Sequence, residues 1–227
     1  MKAMTVFFWL RAGMMGVAGW LLAACDDGLE VRFAEPFPAQ AADLPAFPTR
    51  HQAVYTAADS TSSLCIGRTA VWQQELHSTT FVRDSVHRGL RADTTYTENG
   101  QLHYLKLLEG GLVRDSWLAI DTVFSLRGPE AGKLRRFQGR YYLNQPATDA
   151  DNWLVQRLEI DGQHLNWQKF STDTLRLLTL DPVTVRYHRQ HGALTSLLLT
   201  PPSGAQTRRV GRYAGLWDTI EEYVRRH

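Results

Sequence analysis

Cysteine is scarce in this 227-residue chain, which has only Cys25 and Cys65. A disulfide framework therefore does not hold the fold, and stability must come from an apolar core. Charge of one sign is lacking too. Lys2 and Arg11 precede Cys25 and no acid does, so from Cys25 onward 23 basic residues meet 23 acidic ones. The densest basic clusters are pairs: Arg135 with Arg136, Arg208 with Arg209, and Arg225 with Arg226. That balance argues against nucleic acid as a partner, because phosphate binding needs clustered Lys and Arg. The chain also has no G-x-S-x-G elbow, no phosphate-binding G-x-x-x-x-G-K-[ST], no G-x-G-x-x-G and no H-E-x-x-H, which lowers the expectation of an enzyme.

What is present begins at the amino terminus. Residues 1–11, MKAMTVFFWLR, carry the only charges before Cys25, and Ala12 to Ala24 is an uninterrupted apolar run. A positive segment followed by such a run is the pattern of a signal peptide. The run is shorter than the roughly 20 residues of a spanning helix, and extending it backward would bury Arg11 in hydrocarbon. It ends in Leu22-Ala23-Ala24-Cys25, which resembles the lipobox of bacterial lipoproteins. The resemblance implies cleavage before Cys25, diacylglycerol on its thiol, and an acylated, palmitate-type anchor in the cell membrane or the outer membrane. The domain would then stand in the periplasm or at the cell surface, with Asp26 and Asp27 directly after the anchor. Two or three acyl chains hold securely, since each buried methylene contributes about 0.8 kcal/mol. Cys65, between Leu64 and Ile66, would be left without a partner and is expected as a small buried hydrophobe.

Residues 25–48 hold prolines at 36, 38, 45 and 48 with no sustained period, which predicts a semi-extended tether. From residue 49 to 227 the pattern predicts one β-rich envelope domain of antiparallel sheets, barrel or sandwich-like. Two hairpins have diagnostic turns: Thr94–Thr97 with Leu102–Leu107 around Asn99-Gly100, and Trp153–Ile160 with His164–Phe170 around Asp161-Gly162, both expected as type I′. Further strands are expected at 53–57, 68–76, 80–87, 112–118, 122–126, 136–144, 183–188 and 194–200. Helical pattern is expected in two places: a short helix near 173–178, and a C-terminal helix near 216–226 on the stripe Leu216, Ile220, Tyr223 and Val224. The stretch from Arg136 to Asn144, with Trp153 and the Asp161-Gly162 turn, resembles a segment of uncharacterised lipoproteins of Bacteroidetes-type bacteria, over roughly residues 134–180. Residues 55–66 resemble the opening strands of such proteins. That likeness carries no activity with it.

Candidate binding residues are few. His188 and His191 form an H-x-x-H at a strand end, with no further ligand nearby to complete a metal set. The run from Asp149 to Asn152 starts like a calcium loop but has Trp153 at the next ligand position, so it reads as a polar turn and no metal or cofactor is expected. Aromatic residues on strands mostly fill cores. The sharper expectation is that Tyr142, Trp153 and Trp167 line a concave site for an apolar ligand. The leading expectation for function is a non-enzymatic interaction or scaffold domain, held to the membrane through Cys25 and engaging an envelope protein. A small ligand-binding barrel is the alternative, and an envelope hydrolase comes third.

Overall fold

The computed structural model describes residues 29–82, 94–147, 151–177, 180, 185–190, 193–200 and 204–226. The segment expected as a signal peptide, Cys25 and His191 lie outside the described residues. In chain order the strands are β1 (Glu30–Phe33), β2 (Asp43–Leu44), β3 (Ala53–Ala57), β4 (Ser62–Ile66), β5 (Ala70–Val82), β6 (Thr94–Glu98), β7 (Gln101–Leu107) and β8 (Leu112–Ser125). After them come β9 (Lys133–Phe137), β10 (Arg140–Pro146), β11 (Trp153–Asp161), β12 (His164–Phe170), β13 (Val185–Gln190), β14 (Ala193–Leu199) and β15 (Trp217–Arg225). Two α-helices join them, α1 (Thr174–Leu177) and α2 (Gly204–Arg212). The protein is thus mostly β, as its short alternating runs predict.

Local turn chemistry explains much of this order. Asn99 and Gly100 both take positive φ, 52° and 81°, and join β6 to β7 as a type I′ turn. The second expected hairpin also forms, but its central residues are Gly162 and Gln163. Asp161 pairs with His164, and only Gly162 has positive φ, which is the type II′ pattern. A third hairpin lies inside the stretch expected as one strand from 136 to 144. Gln138 and Gly139 turn the chain with φ of 52° and 86°, so β9 folds back on β10. Elsewhere neighbouring expected strands merge: 112–118 and 122–126 are both part of β8, and β5 runs on through Val82.

The strands form one sheet in the order β13-β14-β1-β11-β12-β15-β3-β4-β5-β8-β7-β6, antiparallel except for the β1–β14 pair. It does not close into a barrel. β11 is the branch point: one edge pairs with β10, which leads to β9 and β2, and the other pairs with β12. Beyond the last β12 pair, Trp153 of β11 also meets Phe33 of β1. β15 lies between β12 and β3, so it joins the strands built from residues 53–125 to those built from 133–170.

Apolar clusters occupy both faces. On one face Tyr141, Leu143, Leu158, Leu165, Tyr223 and Phe124 pack with Phe47. On the other, Tyr142, Val155, Phe170 and Trp217 pack with Phe33, Phe37 and Val210 of α2. This arrangement corrects the expected tether. Within 29–48, β1 pairs with β14, and Phe33, Phe37 and Phe47 are almost fully buried. The Asn144 side chain accepts from the Phe37 backbone N–H at 2.6 Å and donates to the Phe37 carbonyl at 3.0 Å. Burial of three aromatic rings outweighs the prolines' preference for an extended chain, since each contributes about 1.5–3 kcal/mol.

The expected C-terminal helix is also corrected. Residues 217–225 are strand β15, with Trp217 buried in one cluster and Tyr223 in the other, while Ile220 and Val224 face solvent. The four-residue stripe therefore mixed inside with outside. α1 falls where the short helix was expected, Leu177 buried and Leu175 exposed. Cys65 is buried, and its thiol is pushed up by burial, as befits an inert small hydrophobe.

Candidate interaction site

The three aromatic residues expected to share a ligand site do not share one. Tyr142 pairs with Arg157, which pairs with Gln168; Trp167 pairs with Leu158, which pairs with Tyr141. Cross-strand partners share a face, so Tyr142 and Trp167 project from opposite faces of the sheet. Each is buried in its own cluster, and Trp167 donates its indole N–H to the Gln156 side chain at 3.0 Å. Trp153 is half-buried on the Tyr142 side, beneath the Lys133 ammonium. A cavity of about 290 Å³ opens beside Phe33, Phe37, Thr200 and Thr207, with Glu35 at its wall, and none of the three residues lines it. His188 is exposed on β13, and no cluster of three metal-ligating side chains occurs among the described residues.

A different region stands out. β5 and β8 are the longest strands, and their far halves extend past the packed body to carry β7 and β6. Pairing runs from Ala70↔Ser125 to Val82↔Leu112, and β7 continues it from His103↔Trp117 to Leu107↔Val113. The result is a four-stranded antiparallel arm with two distinct faces.

One face is a ladder of aromatic and imidazole rings. His103 and Trp117 are stacked with centroids 5.1 Å apart, His77 stacks on the other flank of Trp117 at 5.5 Å, and Tyr96 lies 4.8 Å from His103. Asp115 anchors the ladder. Its carboxylate accepts from Tyr96 Oη at 2.8 Å and contacts His103 Nδ1 at 3.0 Å. Both His103 and Asp115 are buried. The carboxylate can only accept, so Nδ1 donates to it. Burial, then the Asp115 hydrogen bond and its charge, push the Tyr96 phenol up to about 12, which keeps it a donor. A carboxylate-oriented imidazole is one component of general-base chemistry. No hydroxyl or thiol bonds Nε2 among the described residues, so the set has no nucleophile in place.

The opposite face is apolar and open. Leu76 and Val82 of β5, Leu102 and Tyr104 of β7, and Leu112, Leu118 and Ile120 of β8 all project from it, and all are exposed, from 37% at Leu112 to 64% at Leu102. Leu76 sits directly across from Leu118, and Val82 from Leu112. Lys106 and Arg114, paired across β7 and β8, are the charges on this side. Leu76, Leu102, Leu118, Ile120 and Tyr104 cluster toward one end, and the rows of Ser78 with Ser116 and of Thr80 with Arg114 and Lys106 separate them from Val82 and Leu112. Scattered exposed apolar side chains are ordinary, but a cluster on one sheet face is the kind of feature found at contact surfaces.

Sequence reasoning singled out neither face. A signal for the ladder was nevertheless there: Tyr96 and His103 lie equally far from the centre of the Asn99-Gly100 turn, so a two-residue hairpin pairs them. The apolar face gave no such signal, because exposed and buried leucines alternate identically in a strand.

No known protein family, no curated protein and no solved structure matches the chain.

Proposed function

We propose that the chain is the precursor of a lipid-anchored envelope lipoprotein, attached through Cys25, whose β domain is a non-enzymatic interaction module. It engages an envelope protein through the open face of the arm. The anchor rests on the charged start, the apolar run and Leu22-Ala23-Ala24-Cys25. The observation that carries the interaction reading is the set of seven exposed apolar side chains on one face of the arm. A partner of matching chemistry presents an apolar patch rimmed by acidic side chains that meet Lys106 and Arg114.

Two measurements test the reading separately. Labelling with a fatty-acid analogue is expected to mark the wild type and not Cys25→Ala; equal label on both sinks the anchor. A photo-crosslinker at Leu118 is expected to give a discrete envelope adduct that vanishes in Leu76→Asp/Ile120→Asp. Exposed positions change stability by only about 0.5 kcal/mol, whereas buried interface anchors cost about 2 kcal/mol or more. A discrete adduct that survives the double substitution removes the arm face from the proposal.

A further inference from the structure

Alternation along β9 sends the two members of the Arg135–Arg136 pair to opposite faces of the sheet. Arg135 is buried and bonded to Asp43 and to the Pro38 carbonyl. Arg136 is exposed, pairs across the ladder with Tyr141, and lies 5.4 Å from the centre of the Tyr141 ring. Arg225, at the end of β15, stands opposite Tyr55. Both tyrosines belong to the same apolar cluster, so Arg136 and Arg225 emerge at the margin of one face.

The segment that follows buried Phe47 touches both. Thr49–His51 form a single 3-10 turn, held by the two tyrosines. Tyr141 Oη and His51 Nδ1 are 2.7 Å apart, and Tyr55 Oη donates to the His51 carbonyl at 3.4 Å. Arg225 Nη1 donates to the Arg50 carbonyl at 3.2 Å, one use among five N–H donors. Burial, and then the charges of Arg50, Arg136 and Arg225, hold the His51 imidazole below its usual range, so three cations act on a neutral ring. None of the ion pairs among the described residues includes any of the three arginines.

We propose that Arg50, Arg136 and Arg225 form an anion site beside the His51–Tyr141 pair, and that its ligand is a single phosphate group, free or as a monoester on a sugar. Guanidinium forks meet phosphate oxygens two at a time, and the dianion engages three cations more strongly than a carboxylate does. Left alone, the three like charges repel one another; a phosphate among them turns that repulsion into attraction. The backbone that carries them is pinned by packing, which lowers the cost of gathering them around a ligand. Arg50 and Arg136 are exposed and Arg225 is half-buried, so the site admits the phosphate from solvent and leaves the rest of the molecule outside. Three arginines suit one phosphate and fall short of the repeated contacts that hold a nucleic-acid strand. The site uses neither the arm nor Cys25, so it is tested apart from the proposed function.

The test is thermal unfolding of the full chain in detergent at neutral pH, followed by tryptophan fluorescence, with sodium phosphate compared with sodium chloride at equal ionic strength. At about 20 mM phosphate, a site half-filled near about 1 mM is expected to raise the midpoint by about 4–7 °C. Arg136→Gln and Arg225→Gln are each expected to weaken binding about tenfold, which cuts the rise to about 1–3 °C. Every variant is compared with itself in chloride, so a change in its own stability does not enter. Arg226→Gln removes the same charge from an exposed neighbour and is expected to keep the full rise. Glucose 6-phosphate in place of phosphate separates the sources: a larger rise supports a sugar-borne group, and an equal or smaller one supports the free ion. Absence of a rise with either phosphate overturns the site. So does a rise undiminished in Arg136→Gln/Arg225→Gln, or one that Arg226→Gln diminishes equally.

Discussion

Among the described residues Arg157 is the largest side chain buried to within 2% of full enclosure, and none of their carboxylates forms an ion pair with its guanidinium. Its Nε donates to the Gln168 side-chain oxygen at 2.7 Å, its Nη1 donates to the Gly211 carbonyl at 3.0 Å, and the group lies 4.5 Å from the Trp217 ring centre. One residue thereby ties β11 to β12, to the last turn of α2 and to the start of β15. The cation also suits the negative end of the α2 dipole. Truncating it in Arg157→Ala orphans two buried acceptors at about 1–3 kcal/mol each. It also removes a desolvated cation–π contact worth about 2 kcal/mol and leaves a cavity. Relief from burying a charge offsets part of this, so a net loss of about 4–6 kcal/mol is expected. At a urea slope of about 2 kcal/mol per molar, the unfolding midpoint falls by about 2–3 M. Arg157→Met keeps most of the volume and is expected to lose about half as much. Arg157→Met/Gln168→Leu, which removes charge and orphaned acceptor together, is expected to return to within about 1–2 kcal/mol of wild type. Urea unfolding followed by tryptophan fluorescence measures all three. An Arg157→Ala loss under about 1 kcal/mol, or a double variant as weak as Arg157→Ala, refutes the reasoning.

Two further predictions follow from close packing and from the arm. A Cβ on Gly132 would lie 2.5 Å from the Asn144 carbonyl oxygen and closer still to the fully buried Phe124 ring, so Gly132→Ala is expected to cost about 3 kcal/mol in the same unfolding assay. Tyr96, with its folded pKa raised to about 12 from the ordinary 10.0, contributes stability that is fully present below pH 10.0 and lost as the pH climbs from there to about 12. Asp115→Asn replaces the charged acceptor with a neutral one and so removes the carboxylate charge that pushes the phenol up, so Tyr96 is expected to ionise at lower pH. The phenolate absorbance difference against Tyr96→Phe measures it, and an unshifted titration rejects the Asp115 link.

How far the sequence disclosed this fold depended on whether a local rule acted without competition. Asn99-Gly100 needed only its own backbone preference, and the hairpin formed in the expected register. Gln138-Gly139 makes the same kind of turn, but glutamine carries no signal for positive φ, so β9 and β10 read as one strand. β15 misled because its two buried residues, Trp217 and Tyr223, belong to different clusters and the residues between them do not alternate. Its apolar residues fell by chance at helical spacing. α2 is the converse case. Within Gly204–Arg212 only Val210 is a large buried apolar residue, and contact with the sheet rather than intrinsic pattern makes it a helix. The site failed for a related reason. Tyr142 and Trp167 are near neighbours in the sheet, yet one step of parity sends them to opposite faces. That parity is set by three strands in register, which no single segment encodes.

The place of β15 bears on when the protein can become itself. Every strand it pairs with is synthesised before it, and without it β3 and β12 have no common neighbour in the ladder. A chain emerging from the ribosome therefore holds two unjoined portions of sheet until residue 225 is available. Joining strands more than a hundred residues apart makes the final step slow compared with closing the local hairpins. Under the export proposed above, this keystone strand arrives last, and translocation is well advanced before the fold locks.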